Sequence, residues 1–365
     1  MRAFLFIVAA ALLAGCAAGN QMSPPTSQTQ SAARTGVHKA IMQQAVADDS
    51  SYGGCKVYPD NDWFTTNLVT GGSSYVSNAV DPNSANIIAH LSNTFPGLYI
   101  DEANPGAEVT VNLANSGTPT TSVNGTTLVN DPYDDDPNNV IPVPNPFFEA
   151  GSAFGNCSGD CHAIVLNTQT CVDYETYGWG STPWHGGVFR AGGGGVHNLN
   201  NPLNNQYARD VGITAASLPL LGMTDFGEDA SASSINHIID ISMPGSGAFP
   251  NATGNYVAPA VSWHPCATNC SNELPLGARL RLKSSYQCPS QSDYPQSYLV
   301  CNQLKTYGAI FVDWNGSGGY GTSTMLLRFG TSSDGSNPWN RNDLYGGLRG
   351  ITINDFDVMT LGAIH

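Results

Sequence analysis

From residue 51 onward, apolar and β-branched residues come in short runs separated by clusters of Gly, Pro, Asn, Asp and Ser, the pattern of strands joined by turns. The clearest pair is His162-Ala-Ile-Val-Leu166 and Cys171-Val-Asp-Tyr-Glu-Thr-Tyr177, whose Asn167-Thr-Gln-Thr170 link has the composition of a hairpin loop. Further strand-like runs cover Ser234–Ile241, Asn255–His264, Gly277–Leu282 and Thr306–Asp313. Thr214–Met223 is a compact apolar segment in which Pro219 stops any helix, and it reads as core. Helical spacing is confined to short stretches. Asp81–Leu91 opens like an N-cap and carries Ile87, Ile88 and Leu91; a second stretch starts near Ser297 and closes on Gly308; Gly36–Asp49 holds a marginal amphipathic turn. The pattern predicts an all-β body over residues 51–365: one large, mainly antiparallel β-sandwich or jelly-roll-like domain with two or three short helices.

The first fifty residues break this pattern. Arg2 and the apolar run Ala3–Leu12 lead into Leu13-Ala-Gly-Cys16, which resembles a bacterial lipobox. The expected product loses residues 1–15, carries lipid on Cys16 and hangs from a polar tether over residues 16–50. With Ala17 after the cysteine, lipoprotein sorting implies a place in the cell envelope, at the outer membrane or cell surface. Removing Cys16 leaves eight cysteines, at 55, 157, 161, 171, 266, 270, 288 and 301, and an exported chain is expected to pair them in at least three disulfides. Connectivity stays open, although Cys266/Cys270 and Cys288/Cys301 are neighbours in sequence.

Charge then narrows the partners. Twenty-eight acidic residues stand against 13 basic ones, a net charge of −15, which excludes an electrostatic footprint for nucleic acid or anionic lipid. Forty glycines and 23 prolines, with abundant Ser, Thr and Asn, describe turn-rich surfaces lined by hydroxyls and amides, suited to a neutral polysaccharide or glycan. Within Asp131–Asn139, Asp131, Asp134, Asp135 and Asp136 form an oxygen-rich loop that fits either calcium or plain solvation, without helix-loop-helix calcium spacing.

Candidate chemistry gathers on the central hairpin. Alternation puts Asp160 and His162 on one strand face, and Asp173, Glu175 and Tyr177 on one face of the partner strand. If those faces meet, Asp160 and Glu175 make an acid/base pair for glycoside hydrolysis or lyase chemistry, which needs two carboxylates roughly 5–10 Å apart. His162 and His237 would orient substrate or share the proton transfer, Arg279 and Asp313 would bind substrate, and Trp179 or Trp184 would stack on a sugar ring. The competing reading makes Asp160 a turn cap, His162 a satisfied sheet histidine and the tryptophans core. Cys157-Ser-Gly-Asp-Cys161-His162 also fits a loose haem-attachment spacing, and His162, His237 and His264 could converge on a metal; yet neither H-E-x-x-H nor H-x-H occurs, and G-x-S-x-G is missing as well. A non-catalytic lipoprotein that binds glycan or a partner protein through Tyr177–Asn205 is the alternative.

The motif order, Gly159-Asp-Cys-His162 ending in Tyr174-Glu175, then Leu218-Pro-Leu-Leu-Gly222, Ile235-Asn-His237, Gly277-Ala-Arg-Leu-Arg-Leu282 and Lys305-Thr-Tyr-Gly308 before a strand ending in Asp313, resembles a group of uncharacterised exported bacterial β-rich proteins. In that group an arginine stands where this chain has Cys161, and an alanine where it has Ile238. The resemblance spans roughly residues 60 to 360. It implies one domain and singles out Asp160, His162, Glu175, His237, Arg279 and Asp313, with no established activity attached.

Overall fold

A computed structural model of the chain describes residues 51–57, 62–101, 109–124, 129–130, 140–149, 152–153, 160–179, 184–185, 188–190, 193–200, 214–216, 218–244, 256–260, 274–315 and 324–365. Residues 1–50, where a signal peptide, lipidated Cys16 and tether are expected, the acidic loop 131–139, Cys157, Cys266, Cys270 and His264 lie outside the described residues. Val46–His365 forms one compact unit.

One short pair opens the described residues, β1 (Ser51–Tyr52) with β2 (Cys55–Lys56), followed by β3 (Tyr99–Asp101), β4 (Val111–Ala114), β5 (Thr120–Asn124), β6 (Val129–Asn130), β7 (Val140–Pro142), β8 (Phe148–Glu149) and β9 (Ser152–Ala153). The long hairpin is β10 (Asp160–Asn167) and β11 (Val172–Trp179), and then come β12 (Trp184–His185), β13 (Val188–Arg190) and β14 (Gly193–Asn198). The last third supplies β15 (Ile239–Pro244), β16 (Arg279–Leu282), β17 (Ala309–Asn315), β18 (Thr324–Leu327) and β19 (Phe356–Val358). Three α-helices accompany them among the described residues: α1 (Ser84–Thr94), α2 (Pro295–Thr306) and α3 (Arg341–Leu348). The molecule is therefore β-rich, as its sequence pattern predicts.

The strands form a five-stranded sheet ordered β4-β10-β11-β14-β6, a four-stranded sheet β12-β13-β5-β7 and a six-stranded sheet β19-β16-β17-β15-β18-β3. Each is mixed. Antiparallel pairing dominates, but β4 joins β10, β6 joins β14, β13 joins β5, β15 joins β17 and β3 joins β18 in parallel. The departure has a sequence-local cause: long connections and helices separate these partners in the chain, and parallel pairing requires such crossovers.

The alternation of β10 decides how the sheets share a core. Ile164 and Leu166 point into the large apolar cluster with Leu218, Leu220, Ile239, Phe311 and most of the six-stranded sheet. Ala163 and Val165 point the other way, into a smaller cluster with Tyr174, Val196, Val123, Ile141 and Phe189. One strand buried on both faces thus joins the two cores.

Helix α2 begins with Pro295 in its first turn and ends at Tyr307; Gly308 follows with φ +79°, and its N–H bonds back to the Gln303 carbonyl. A Cβ at Gly308 would lie 2.3 Å from the Leu280 carbonyl oxygen on β16, so only glycine turns the chain here and still lets it run beside that strand. Disulfides fix chain segments among the described residues. Cys55–Cys171 links the first hairpin to the central one across 116 residues, while Cys288–Cys301 closes 13 residues at α2, and Cys161 is disulfide-bonded as well.

Two stability outcomes follow from this geometry. Gly308→Ala is expected to lower the unfolding free energy by more than about 1 kcal/mol, because positive φ and the β16 carbonyl both oppose a side chain; denaturant titration measures it. Loop-closure entropy grows with loop length, so replacing both Cys55 and Cys171 by alanine should cost about 5 kcal/mol, and replacing Cys288 and Cys301 about 3 kcal/mol. Equal losses in urea melts of the two double variants would contradict that ordering.

Candidate functional site

The register of the central hairpin determines which predicted groups meet. Asp160 pairs with Trp179, His162 with Tyr177, Ile164 with Glu175 and Leu166 with Asp173. His162, Ile164 and Leu166 share one face with Tyr177, Glu175 and Asp173, as alternation requires, and the backbone of Asp160 sits four positions along the strand from the Ile164/Glu175 pair, about 13 Å at the usual rise. The hairpin does not bring the two together as an acid/base pair.

Glu175 is instead committed to backbone. It is fully buried, its Oε2 accepts the Leu220 N–H at 3.0 Å, and its Oε1 accepts the Leu221 N–H at 2.9 Å. The neighbouring strand presents Gly195 and Gly193 opposite Glu175 and Tyr177, which leaves that face free of side chains where the 218–221 turn crosses it. Beside it, Asp173 is paired in register with His197, both buried. Burial and the Glu175 charge push the Asp173 carboxyl well up, and His197 opposes them.

Beyond Leu221, Asp225 is held between its own N–H on the Arg328 carbonyl, at 3.2 Å, and its carbonyl accepting the Gly330 N–H, at 2.9 Å. The short 3-10 turn Asp229–Ser231 begins four residues on, with the Asp229 Oδ2 accepting the Phe226 N–H at 2.7 Å. His237 precedes β15 and faces both aspartates: its Nε2 lies 3.6 Å from Asp229 Oδ2 and 3.9 Å from Asp225 Oδ1, all three side chains being buried. Its Nδ1–H donates to the Ile238 carbonyl at 2.8 Å. Gln303 on α2 donates from Nε2 to Asp225 Oδ1 at 2.7 Å and to the His237 carbonyl at 3.1 Å. Burial depresses the imidazole pKa, but the adjacent carboxylate of Asp229, then the charge of Asp225, raise it to about 9. Burial drives the Asp225 carboxyl well up, against the pull of His237.

A second charged group adjoins the first on the six-stranded sheet. β15 and β17 run parallel with Asp240 opposite Ile310, but a bulge at Ile241/Ser242 sets Ser242 opposite Asp313. Strict alternation would put Asp313 on the far face, and the extra residue restores it to the face of Asp240. Arg328, just after β18, then bonds both carboxylates, Asp240 directly and Asp313 through Nη2 at 3.0 Å. Asp240 is fully buried and Asp313 reaches the surface. Two predicted residues, His237 and Asp313, therefore belong to adjoining clusters.

Arg279 takes a different position. With Arg281 it projects from one side of β16 while Leu280 and Leu282 enter the core on the other. Its guanidinium donates to the carbonyls of Trp63 and Thr66, and Arg281 reaches the Leu68 carbonyl at 3.5 Å. The turn they grip is organised by Asp62, whose Oδ1 accepts the N–H groups of Phe64 and Thr65 and the Thr65 hydroxyl. Burial raises Asp62 to about 6 against those hydrogen bonds and Arg279, and burial lowers Arg279 to about 9 against Asp62. Arg279 is thereby one wall of a cleft of about 470 Å³, shared with Trp63, Tyr75, Ser73, Ser77 and Asn78. The Trp63 and Tyr75 rings stand 5.7 Å apart at 44°.

His162 is half-buried on β10, and Trp179 and Trp184 end β11 and open β12 by their backbones. The predicted calcium ligands Asp131, Asp134, Asp135 and Asp136 lie outside the described residues; among the described residues, Asp225, Asp229 and His237 form a group that could hold a metal. Sequence reading missed Asp225, Asp229, Asp240, Gln303, Arg328, Trp63 and Tyr75. One signal was available: Asp240 interrupts Ile238-Ile-Asp-Ile241, and a charge inside an apolar strand must find a partner.

Glu175→Gln tests the backbone role. An amide offers one acceptor oxygen to two N–H donors and sets its own NH₂ against the other, so a loss of about 2 kcal/mol or more is expected in thermal or denaturant unfolding. A variant as stable as the parent would mean that the Leu220–Leu221 turn is held by other contacts. Comparison with family models, with characterised proteins and with solved structures finds nothing that matches this chain, so its function is argued from geometry alone.

Proposed function

We propose that this chain is an exported envelope protein, lipid-anchored at Cys16, that binds a neutral glycan in the cleft between the 63–78 segment and β16. The observation that carries the reading is the lining of that cleft: two tilted aromatic rings, several hydroxyl and amide side chains, and the buried Arg279 that fixes one wall. Aromatic faces stack on the apolar faces of sugar rings, hydroxyls and amides satisfy the sugar's own hydroxyls, and about 470 Å³ lies within the range of small-molecule sites. The disulfides and the lipobox support export, and no helix among the described residues is long and apolar enough to cross a membrane. Binding is favoured over cleavage because Glu175, one half of the expected acid/base pair, spends both oxygens on backbone N–H groups.

A polysaccharide hydrolase or lyase is the second reading. It draws on the carboxyls of Asp225 and Asp240, both pushed up by burial in the manner of general acids, beside His237 and the surface-reaching Asp313.

Tyr75→Ala separates these readings, since Tyr75 is exposed at the cleft and its loss leaves the core intact. On a glycan array the parent should retain a neutral oligosaccharide whose mass and reducing ends do not change, and the variant should bind it about tenfold more weakly, the ~1.4 kcal/mol of one lost stacking contact. New reducing ends or unsaturated products would favour the enzyme, and unchanged affinity in the variant would remove the cleft from the binding site.

A further inference from the structure

The Asp225–Asp229–His237 group holds more acceptor oxygen than its surroundings can satisfy. Asp225 has one oxygen on Gln303 and the other, Oδ2, buried without any hydrogen-bond donor; the Gln303 Oε1 and the Asp240 Oδ1 are buried in the same condition. A buried acceptor left without a donor is costly, more so where it carries charge, so three such atoms on Asp225, Gln303 and Asp240 are unusual in a settled core. Four carboxyl groups, those of Asp225, Asp229, Asp240 and Asp313, share this region with the cationic Arg328 and with His237. A further positive charge would resolve both the excess acceptors and the excess acidity.

The positions of the ligand-type atoms specify that charge. One nitrogen of His237 and one oxygen from each aspartate lie within 4.8 Å of one another. The gaps from Nε2, 3.6 and 3.9 Å, are too wide for good hydrogen bonds. They suit atoms that share one cation at ~2.0–2.2 Å, which places its ligands ~3–4 Å apart. Each residue is also fixed by a hydrogen bond: His237 through Nδ1–H on the Ile238 carbonyl, which leaves Nε2 for a ligand, Asp229 through the Phe226 N–H on Oδ2, and Asp225 through Gln303 on Oδ1, which leaves its Oδ2 with no donor. One imidazole and two carboxylates form a mixed nitrogen and oxygen set of intermediate hardness, which favours Zn²⁺ or Mn²⁺ over Ca²⁺ or Cu⁺.

We propose that Asp225, Asp229 and His237 bind one divalent transition-metal cation of the Zn²⁺ or Mn²⁺ class, taken up as the chain folds. Uptake during folding follows from burial, since none of the three side chains is more than 5% exposed. The ion would pin the 225–237 segment to the start of β15 and to α2, which makes it a structural site in the first instance. The proposal is independent of the glycan cleft, which lies among other residues.

The test refolds the full chain with Zn²⁺ present or with EDTA, removes unbound metal, and measures metal content, melting temperature and the zinc X-ray absorption spectrum. One zinc per chain, a higher melting temperature for the zinc form, and a nitrogen/oxygen shell containing one imidazole and no sulfur are expected. Asp225→Asn and His237→Gln should each weaken zinc binding more than tenfold, while the surface substitution Asp293→Asn leaves it unchanged. A parent chain that folds without retaining zinc or manganese overturns the proposal. So does a shell with sulfur or several imidazoles, or an affinity untouched by both site variants. Should either variant fail to fold, the absorption spectrum of the parent still decides.

Discussion

One buried carboxylate links the two halves of this fold. Glu175 leaves the central strand of the five-stranded sheet and accepts two backbone N–H groups from Leu220 and Leu221, in the segment that leads directly into Asp225 and onward to β15. A turn packed on a sheet face has no ladder to satisfy its amides, and buried N–H groups must be paired. The carboxylate supplies both acceptors from one residue. Without it, the apolar side chains of Leu218, Leu220 and Leu221 could still be buried, but their backbone would enter the core with its donors unmet.

That constraint propagates to the charged clusters. Once the 218–223 turn is seated, the Asp240 N–H meets the Met223 carbonyl at 2.7 Å and Asp225 bridges to Phe329 beside β18, so the aspartates converge with no strand of their own between them. The β-bulge in the β15/β17 pairing then turns Asp313 onto the same face as Asp240, and Arg328 closes over both. Charges gathered in a buried interior have shifted proton affinities and demand compensation, which a cation would supply. The cleft at Arg279 obeys a different logic: its arginine is consumed in holding the Asp62–Thr66 turn by carbonyl oxygens, and the rest of its lining comes from aromatic, hydroxyl and amide side chains of the 63–78 segment.

Much of the scaffold was legible in the sequence because it depends on local period and local chemistry. The β10/β11 hairpin, the helix over Ser84–Thr94, the helix ending before Gly308 and the strands at Arg279–Leu282 and Ala309–Asn315 follow from alternation, helical spacing and the conformational needs of glycine. The pairing of Cys288 with Cys301 follows from proximity along the chain. So does the inward packing of Thr214–Met223, whose leucines had no other place to go.

What the tertiary structure decided was which of the polar residues meet. Alternation placed Glu175 on a face without fixing its register, and the register put Ile164, not Asp160, across from it. A single bulged residue reversed the side on which Asp313 lies, and an irregular segment between two sheets delivered Asp225 and Asp229 to His237. Sequence determined the elements and the fact of an apolar interior, because those are summed over many residues and tolerate local error. The charged clusters and the cleft were settled by long-range pairing, where a shift of one residue changes every neighbour.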